Sequence, residues 1–416
     1  MTGIMKKTSF SCMAVAAVCV AVGCGGDSDA VDAGAIDAAA FPGAVRPTKR
    51  SEMLPVVNPS TGAMIIFGGN NGPVVNQIPS AAYLGDTWVL DPVTGWSELT
   101  GTGPSARGRH TAVLDPNGNR MLVFGGRWRE TGTTGNYTLY NDLWALDLAA
   151  GTWTQLNDGS GTAPSPRYYP ASAYDAATDT LYVFGGGTNA NPLSITKATD
   201  VWAYDASGWR VVTTSGTPPS SRLFFGSAHD TVRNNLVVFG GQIGNFSSLA
   251  YNDLFSLDLD TGVWSELDSG TGPSTRMHAH LTHDATRDRY LLFGGHTDIG
   301  DANDLWAFDP TGGGWSTIYA GDTFTGAGLG CLGDSSEVPA NYVDQDLSAP
   351  ERRHRGLFAL VNDSLWLFGG MHAECSDHLD DTWRFDLASN TWTELIEART
   401  GESCARRNDD CTCLCL

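Results

Sequence analysis

The sequence is poor in positive charge: 25 Lys and Arg stand against 46 Asp and Glu, for a formal net charge of −21. Gripping a phosphate backbone needs a cationic footprint, so this balance argues against nucleic acid as a partner. Long apolar runs are missing as well. No stretch beyond residue 24 approaches the roughly 18 consecutive apolar residues of a spanning helix. No His-Glu-x-x-His pair, Gly-x-Ser-x-Gly elbow or phosphate loop occurs, so no short signature points to a catalytic class.

What the chain does have begins with an address. Lys6 and Lys7 form a short basic region, and residues 10–22 form an apolar run too short for a comfortable span, which together read as a secretory signal over residues 1–23. Residues 24–46 are dominated by Gly, Ala, Asp and Ser; with little to bury, this segment is expected to be a flexible tether. Of nine cysteines, Cys12 and Cys19 leave with the signal and Cys24 stands at its end. The remaining six, Cys331, Cys375, Cys404, Cys411, Cys413 and Cys415, are expected to meet an oxidising compartment.

A repeat fills the middle of the chain. An apolar run closed by two glycines occurs six times, ending at Gly69, Gly126, Gly186, Gly241, Gly295 and Gly370. Each is followed by an Asp two residues before an aromatic, as in Asp86 and Trp88 or Asp253 and Phe255, then by a second Asp and a further Trp. Eleven of the 13 tryptophans occupy these two positions. Upstream of each diglycine lies Pro-x-x-Arg, with Arg50, Arg107, Arg167, Arg222 and Arg276 each 18 residues before the first glycine and Arg353 16 residues before it.

Each unit reads as four short antiparallel strands: after the Arg, into the diglycine, over Asp-x-Trp, and around the last Trp. The second has no polar alternation, so both of its faces must be covered, as happens when sheets pack face to face. The residues quoted resemble kelch repeats across 47–396. That resemblance implies an all-β, six-bladed propeller around a channel, similar to the central domain of galactose oxidase. All six units are complete within their own segments, whereas rings of this family often close by sharing a blade between the chain ends. Ala21-Val22-Gly23-Cys24 likewise resembles a bacterial lipobox, which implies lipidation of Cys24 and a monomeric lipoprotein of the cell envelope, outer membrane or periplasm-facing; an ordinary signal peptide with an incidental cysteine is the alternative.

Loops between strands two and three share a face with the blade connections, and variable loops on a rigid ring are where recognition resides. Residues there that the repeat does not require are the candidate binding set: Arg127, Trp128, Arg129, Tyr137, His296, Asp298, Met371, His372, Glu374 and His378. An aromatic beside arginines suits a peptide, carboxylate or sugar. The six repeated arginines admit two readings. They ring the channel mouth and meet an anion, as the family resemblance allows for acidic peptides, or they hold each blade together by bonding carbonyls or the nearby Asp, which their recurrence favours. The repeated Asp pairs are expected to bond turn amides, with calcium at Asp258, Asp260 and Gly262 a weaker alternative.

The insertion at 317–349 carries Cys331, and the adjoining blade's loop carries Cys375; opening to the same side, they are expected to form a disulfide that pins a lid over the mouth. The C-terminal tail, 397–416, reads as a small disulfide knot or a misread chain end. His278 and His280 would point the same way on a strand, but the histidines His110, His296, His354 and His372 show no compact ligand spacing, so no metal or other cofactor is expected. No tyrosine-cysteine pair with copper ligands is evident. The expected function is binding of a protein or glycan through one propeller face. The alternative is a carbohydrate-active oxidase, epimerase or lyase with its site at the channel mouth, and a third reading is a structural spacer.

Overall fold

The computed structural model describes residues 41, 45–75, 78–131, 134–244, 250–298, 300–324, 343–344, 348–372 and 377–399. Every repeat unit folds as read. In the second, Thr111–Asp115, Arg120–Phe124, Leu143–Asp147 and Thr152–Asn157 lie side by side in chain order, all antiparallel. The fourth unit adds a departure: Ser215–Gly216, from the preceding connection, pairs parallel with its outer strand Val263–Asp268. The six inner strands, Val56–Val57, Thr111–Asp115, Ala171–Asp175, Gly226–Asp230, His280–Asp284 and Leu357–Val361, each pack beside the next and the last beside the first. The protein is a six-bladed β-propeller.

The apolar second strands explain how blades stack. In blade four, Val237 and Phe239 belong to the core shared with blade five, while Leu236 and Val238 belong to the core shared with blade three. Successive side chains thus point to opposite neighbours, so neither face of the strand meets water.

The last Trp of each unit is the wedge between blades. Trp153 packs on Phe67 at 5.2 Å between ring centroids, Trp209 on Phe124 at 5.0 Å, Trp264 on Phe184 at 4.9 Å, Trp315 on Phe239 at 5.4 Å and Trp392 on Phe293 at 5.4 Å. In each pair the Phe precedes the diglycine of the blade before. The ring closes through the sixth such pair, Trp96 on Phe368 at 4.6 Å, without any exchange of strands. Gly370 N also donates to Arg50 O at 2.9 Å across the same seam. The first diglycine position needs glycine because its φ is positive and a Cβ at Gly68 would lie 2.5 Å from the Arg107 carbonyl oxygen of the next blade.

Each repeated Arg is turned into its own blade. Its Nη1 donates to the carbonyl of the first glycine at 3.0 to 3.1 Å, which is what the recurring Arg-to-Gly spacing encodes. The same nitrogen meets the first Asp of the unit at 2.5 to 2.8 Å, and Nη2 completes a fork on that carboxylate. In five blades the neighbouring Trp indole donates to the same Asp, as Trp383 Nε1 does to Asp381 at 2.8 Å. The expectation that both Asp of a pair bond turn amides is therefore corrected. The second one does so, Asp258 accepting from Asp260 N and Thr261 N, while the first serves the Arg fork. Asp260 in turn accepts from Asn234, so the carboxylates of the supposed calcium loop are engaged within the protein.

Ordered contacts begin upstream of residue 47. Phe41 packs on Trp366 at 6.1 Å and Arg46 Nε lies 3.4 Å from Asp380, so the end of the expected tether is part of the folded body. Residues 24–40 with Cys24, the two cysteines of the expected Cys331–Cys375 disulfide, and the tail from residue 400 lie outside the described residues.

The Arg353 fork is buried on both sides, with side-chain exposures of 0% and 3%. Replacing Arg353 by Met strands the Asp381 carboxylate and is expected to cost about 3–5 kcal/mol in urea unfolding. Asp363→Ala, which removes the exposed end of the Arg287 pair, should cost less than about 1 kcal/mol.

Candidate functional site

Two residues after each fork arginine, the chain turns into the left-handed region: Glu52, Arg109, Tyr169, Phe224, His278 and Arg355 have φ of 67°, 60°, 53°, 63°, 59° and 62°. Such backbone costs roughly 1–3 kcal/mol per non-glycine residue and persists only where surroundings impose it. Main-chain hydrogen bonds between neighbouring turns support it at four of the six junctions of this collar. Arg109 N donates to Glu52 O at 2.8 Å, Tyr169 N to Arg109 O at 2.6 Å, His278 N to Phe224 O at 2.6 Å and Glu52 N to Arg355 O at 2.9 Å. Six blades of one design thus deliver six side chains of five kinds to one place.

Those side chains meet across the channel. Tyr169 stands edge-on to Phe224 at 5.4 Å, Phe224 lies 4.4 Å from His278, and the Arg109 guanidinium sits 5.0 Å from the Tyr169 ring centre. At the charged end, Arg109 Nε donates to Glu52 Oε1 at 2.7 Å, with Arg355 Nη1 3.6 Å and Arg127 Nη2 3.9 Å from the same oxygen. Burial works to raise the Glu52 carboxyl, but the guanidiniums of Arg109, Arg127 and Arg355 prevail and hold it down at about 2. Three cations facing one carboxylate leave a local surplus of positive charge in a chain whose total is −21. Arg355 is lowered by burial and by the nearby charge of Arg109 and Arg127. Its Nη2 lies 2.6 Å from His278 Nε2, where the guanidinium donates and a neutral imidazole accepts; burial first, then Arg355, keeps His278 well below its usual value.

Polar atoms are left over at this mouth. Among the described residues, Tyr83 Oη, Tyr169 Oη, Arg127 Nε, Arg129 Nε, and Arg355 Nε and Nη1 are buried without a hydrogen-bond partner. A cavity of about 70 Å³ lies against Glu52, Tyr169, His278 and Arg355. A larger one of about 720 Å³ is lined by inner strands of all six blades, including Val56, Val113, Tyr174, Ala228, Leu281 and Phe358.

Part of the expected loop set assembles here. Arg127–Trp128 forms a two-residue strand paired with Thr138–Leu139, and the Arg127 and Arg129 guanidiniums cover the Tyr137 ring at 3.9 and 4.4 Å. Trp128 beside them is half-buried. The six repeated arginines are not part of the mouth, because their guanidiniums are committed to the forks. Met371 and His372 are buried rather than presented on a loop, and buried His378 donates Nε2 to Gly72 O at 2.9 Å; Glu374 lies outside the described residues. Asp298 is exposed. His278 and His280 do not share a strand face: His278 precedes the strand in the left-handed turn, and His280 packs against Phe293 and Phe358. Half-buried His296 instead meets His354 at Asp301, with Nδ1 of the two rings 2.7 and 3.0 Å from Asp301 Oδ1.

Of the six collar residues only His278 stands out in the sequence, because recurrence marks the frame, whereas this position carries large side chains of five kinds in six units. That contrast was the available signal.

The sequence matches the KLHDC2/KLHL20/DRC7 Kelch-repeats domain over residues 38–222 and 173–327, and a further Kelch motif over 352–395. The chain belongs to the kelch-repeat family. This kelch propeller is 28% identical over 340 residues to leucine-zipper-like transcriptional regulator 1 homolog of Drosophila melanogaster, covering 79% of this chain and 30% of that protein. It is 26% identical over 305 residues to Kelch domain-containing protein 10 of Homo sapiens, covering 70% and 61%. With acyl-CoA-binding domain-containing protein 5 of Arabidopsis thaliana it shares 32% identity over 247 residues, 57% of this chain and 34% of the relative. The kelch chain thus spans between about a third and two thirds of the length of these relatives.

The Glu52 environment gives a pH signature. A carboxyl held at about 2 in the folded state and ordinarily near 4.5 contributes stability that is fully present above pH 4.5 and lost as pH falls towards 2. Neutral buried His110 and His280, lowered to about 3 by burial first, add a loss that begins below pH 6.5. Unfolding free energy of Glu52→Gln measured between pH 5 and 2 should therefore fall less than that of the wild type, by on the order of 3 kcal/mol. Identical slopes would show that the carboxylate is not held by the three arginines.

Proposed function

We propose that this kelch propeller is a binding module that takes an acidic segment of a protein partner into the collar mouth. The observation that carries the reading is the convergence of Arg109, Arg127 and Arg355 on the single Glu52 carboxylate, with guanidinium and phenol hydrogens nearby that have no acceptor among the described residues. Charged hydrogen bonds in a partly desolvated cleft reward an anion and penalise its neutral analogue. A neutral glycan would leave that surplus charge unanswered, so a carboxylate-bearing peptide is the better fit. The Tyr137 ring under two arginines and the half-buried Trp128 supply the aromatic anchors of such an interface.

Export by the first 23 residues and lipidation of Cys24 would hold the monomeric propeller at a membrane of the cell envelope, its mouth free to meet a partner. The support is the basic, apolar and small-residue succession ending at Cys24.

The convergence of Glu52, Tyr169 and His278 on one small cavity also favours a second reading, a carbohydrate-active enzyme at the same mouth. Turnover of a panel of sugars that is abolished by His278→Gln would carry that reading; its absence alongside peptide binding would dismiss it.

The binding reading is tested by fluorescence anisotropy with a Glu-rich peptide and its Gln-substituted counterpart. The acidic peptide should bind at least tenfold more tightly, Arg127→Ala should lose about tenfold or more, and Trp128→Ala several-fold, with circular dichroism unchanged. Equal affinity for both peptides would overturn the assignment. For the anchor, radiolabelled palmitate should enter the wild type and not Cys24→Ala; equal labelling would refute it.

A further inference from the structure

Beside the collar lies a trio of side chains that neither the forks nor the proposed peptide site uses. His296 stands where the second strand of blade five runs on past its diglycine, and Asp301 is its cross-strand partner in the returning strand Gly300–Phe308. Ladder pairing fixes these two on one hairpin. His354 comes from blade six, immediately after fork residue Arg353, and is held by reciprocal main-chain bonds with Met371 at 3.0 and 2.8 Å. One hairpin and one segment of the next blade thus bring a carboxylate oxygen and two imidazole nitrogens within 4.8 Å of one another.

We propose that His296, Asp301 and His354 bind one divalent first-row transition-metal ion. Two imidazoles and one carboxylate are a donor set that such ions accept and that hard calcium, which favours oxygens, does not. The two imidazole nitrogens lie 2.7 and 3.0 Å from the Asp301 oxygen, so one ion about 2.1 Å from each donor can be shared among them after the ring protons leave. Three protein donors leave the remaining coordination positions to water or a ligand. The burial pattern agrees, because Asp301 and His354 are buried while the His296 side chain is 16% exposed and marks the open side.

The site is coupled to the collar by contact. The His354 ring stacks on His278 at 5.4 Å and 21°, and His278 in turn meets Arg355. An ion here would tie blade five to blade six beside the mouth and add positive charge next to the arginines. The plain alternative is a hydrogen-bonded trio, with both imidazoles donating Nδ1–H to Asp301 and no affinity for metal.

The test is titration of the full chain, stripped with chelator, with Mn²⁺, Zn²⁺ and Co²⁺ by calorimetry, alongside Asp301→Asn, His296→Ala and the control His229→Ala, each checked for folding by circular dichroism. The expected result is one ion per chain and at least tenfold weaker binding in Asp301→Asn and His296→Ala but not in His229→Ala. Wild type that binds no ion, or folded Asp301→Asn and His296→Ala that bind as the wild type does, would overturn the proposal.

Discussion

Six indole rings, each wedged onto a phenylalanine of the blade before, hold this molecule as a ring. A four-stranded sheet with apolar residues on both faces has no stable existence alone, since each face needs a neighbour. The Trp-Phe contact recurs at every seam, including the one that joins the two ends of the propeller, where Trp96 meets Phe368. Aromatic pairs of this kind contribute about 0.5–1.5 kcal/mol beyond their buried area. The diglycines let the backbones approach closely enough for the rings to meet, and the Arg forks stiffen the turn beside them.

A closed ring converts repetition into a site. Any residue placed identically in every blade is carried to the same height around the axis, so the position two after each fork arginine becomes a collar. Its left-handed backbone is the local cost of pointing six side chains inward, offset by main-chain bonds that run from blade to blade. Because blade packing does not dictate the identity of these residues, the collar holds Glu, Arg, Tyr, Phe, His and Arg where the frame around it hardly changes. The collar thereby gathers three guanidiniums around Glu52 in a chain whose net charge is −21.

The strands were legible because pattern alone decides them. Runs such as LVVFGG have no polar alternation, and the structure splits their side chains between two interblade cores as that predicts. The Arg-to-diglycine spacing was visible too, but its meaning, a guanidinium shared between a glycine carbonyl and an Asp some thirty residues on, needs the hairpin to bring the partners together. Loop residues were harder. Arg127, Arg129 and Tyr137 do gather, whereas Met371 and His372 looked like loop residues in the sequence and are buried, because the chain pairs on past the diglycine before turning. The collar position can be picked out by its varied side chains, but the meeting of those side chains, like that of His296 and Asp301 with His354, depends on contacts between blades that no spacing within one unit encodes.

The ring seam is the most direct place to test the account. A double-mutant cycle on Trp96→Ala and Phe368→Ala, read by urea unfolding, should return a coupling of about 1 kcal/mol or more, as for the equivalent Trp209 and Phe124 pair inside the ring. Additive losses at the terminal seam, with coupling retained at the internal one, would mean that the chain ends do not meet and that the six blades do not form a closed collar.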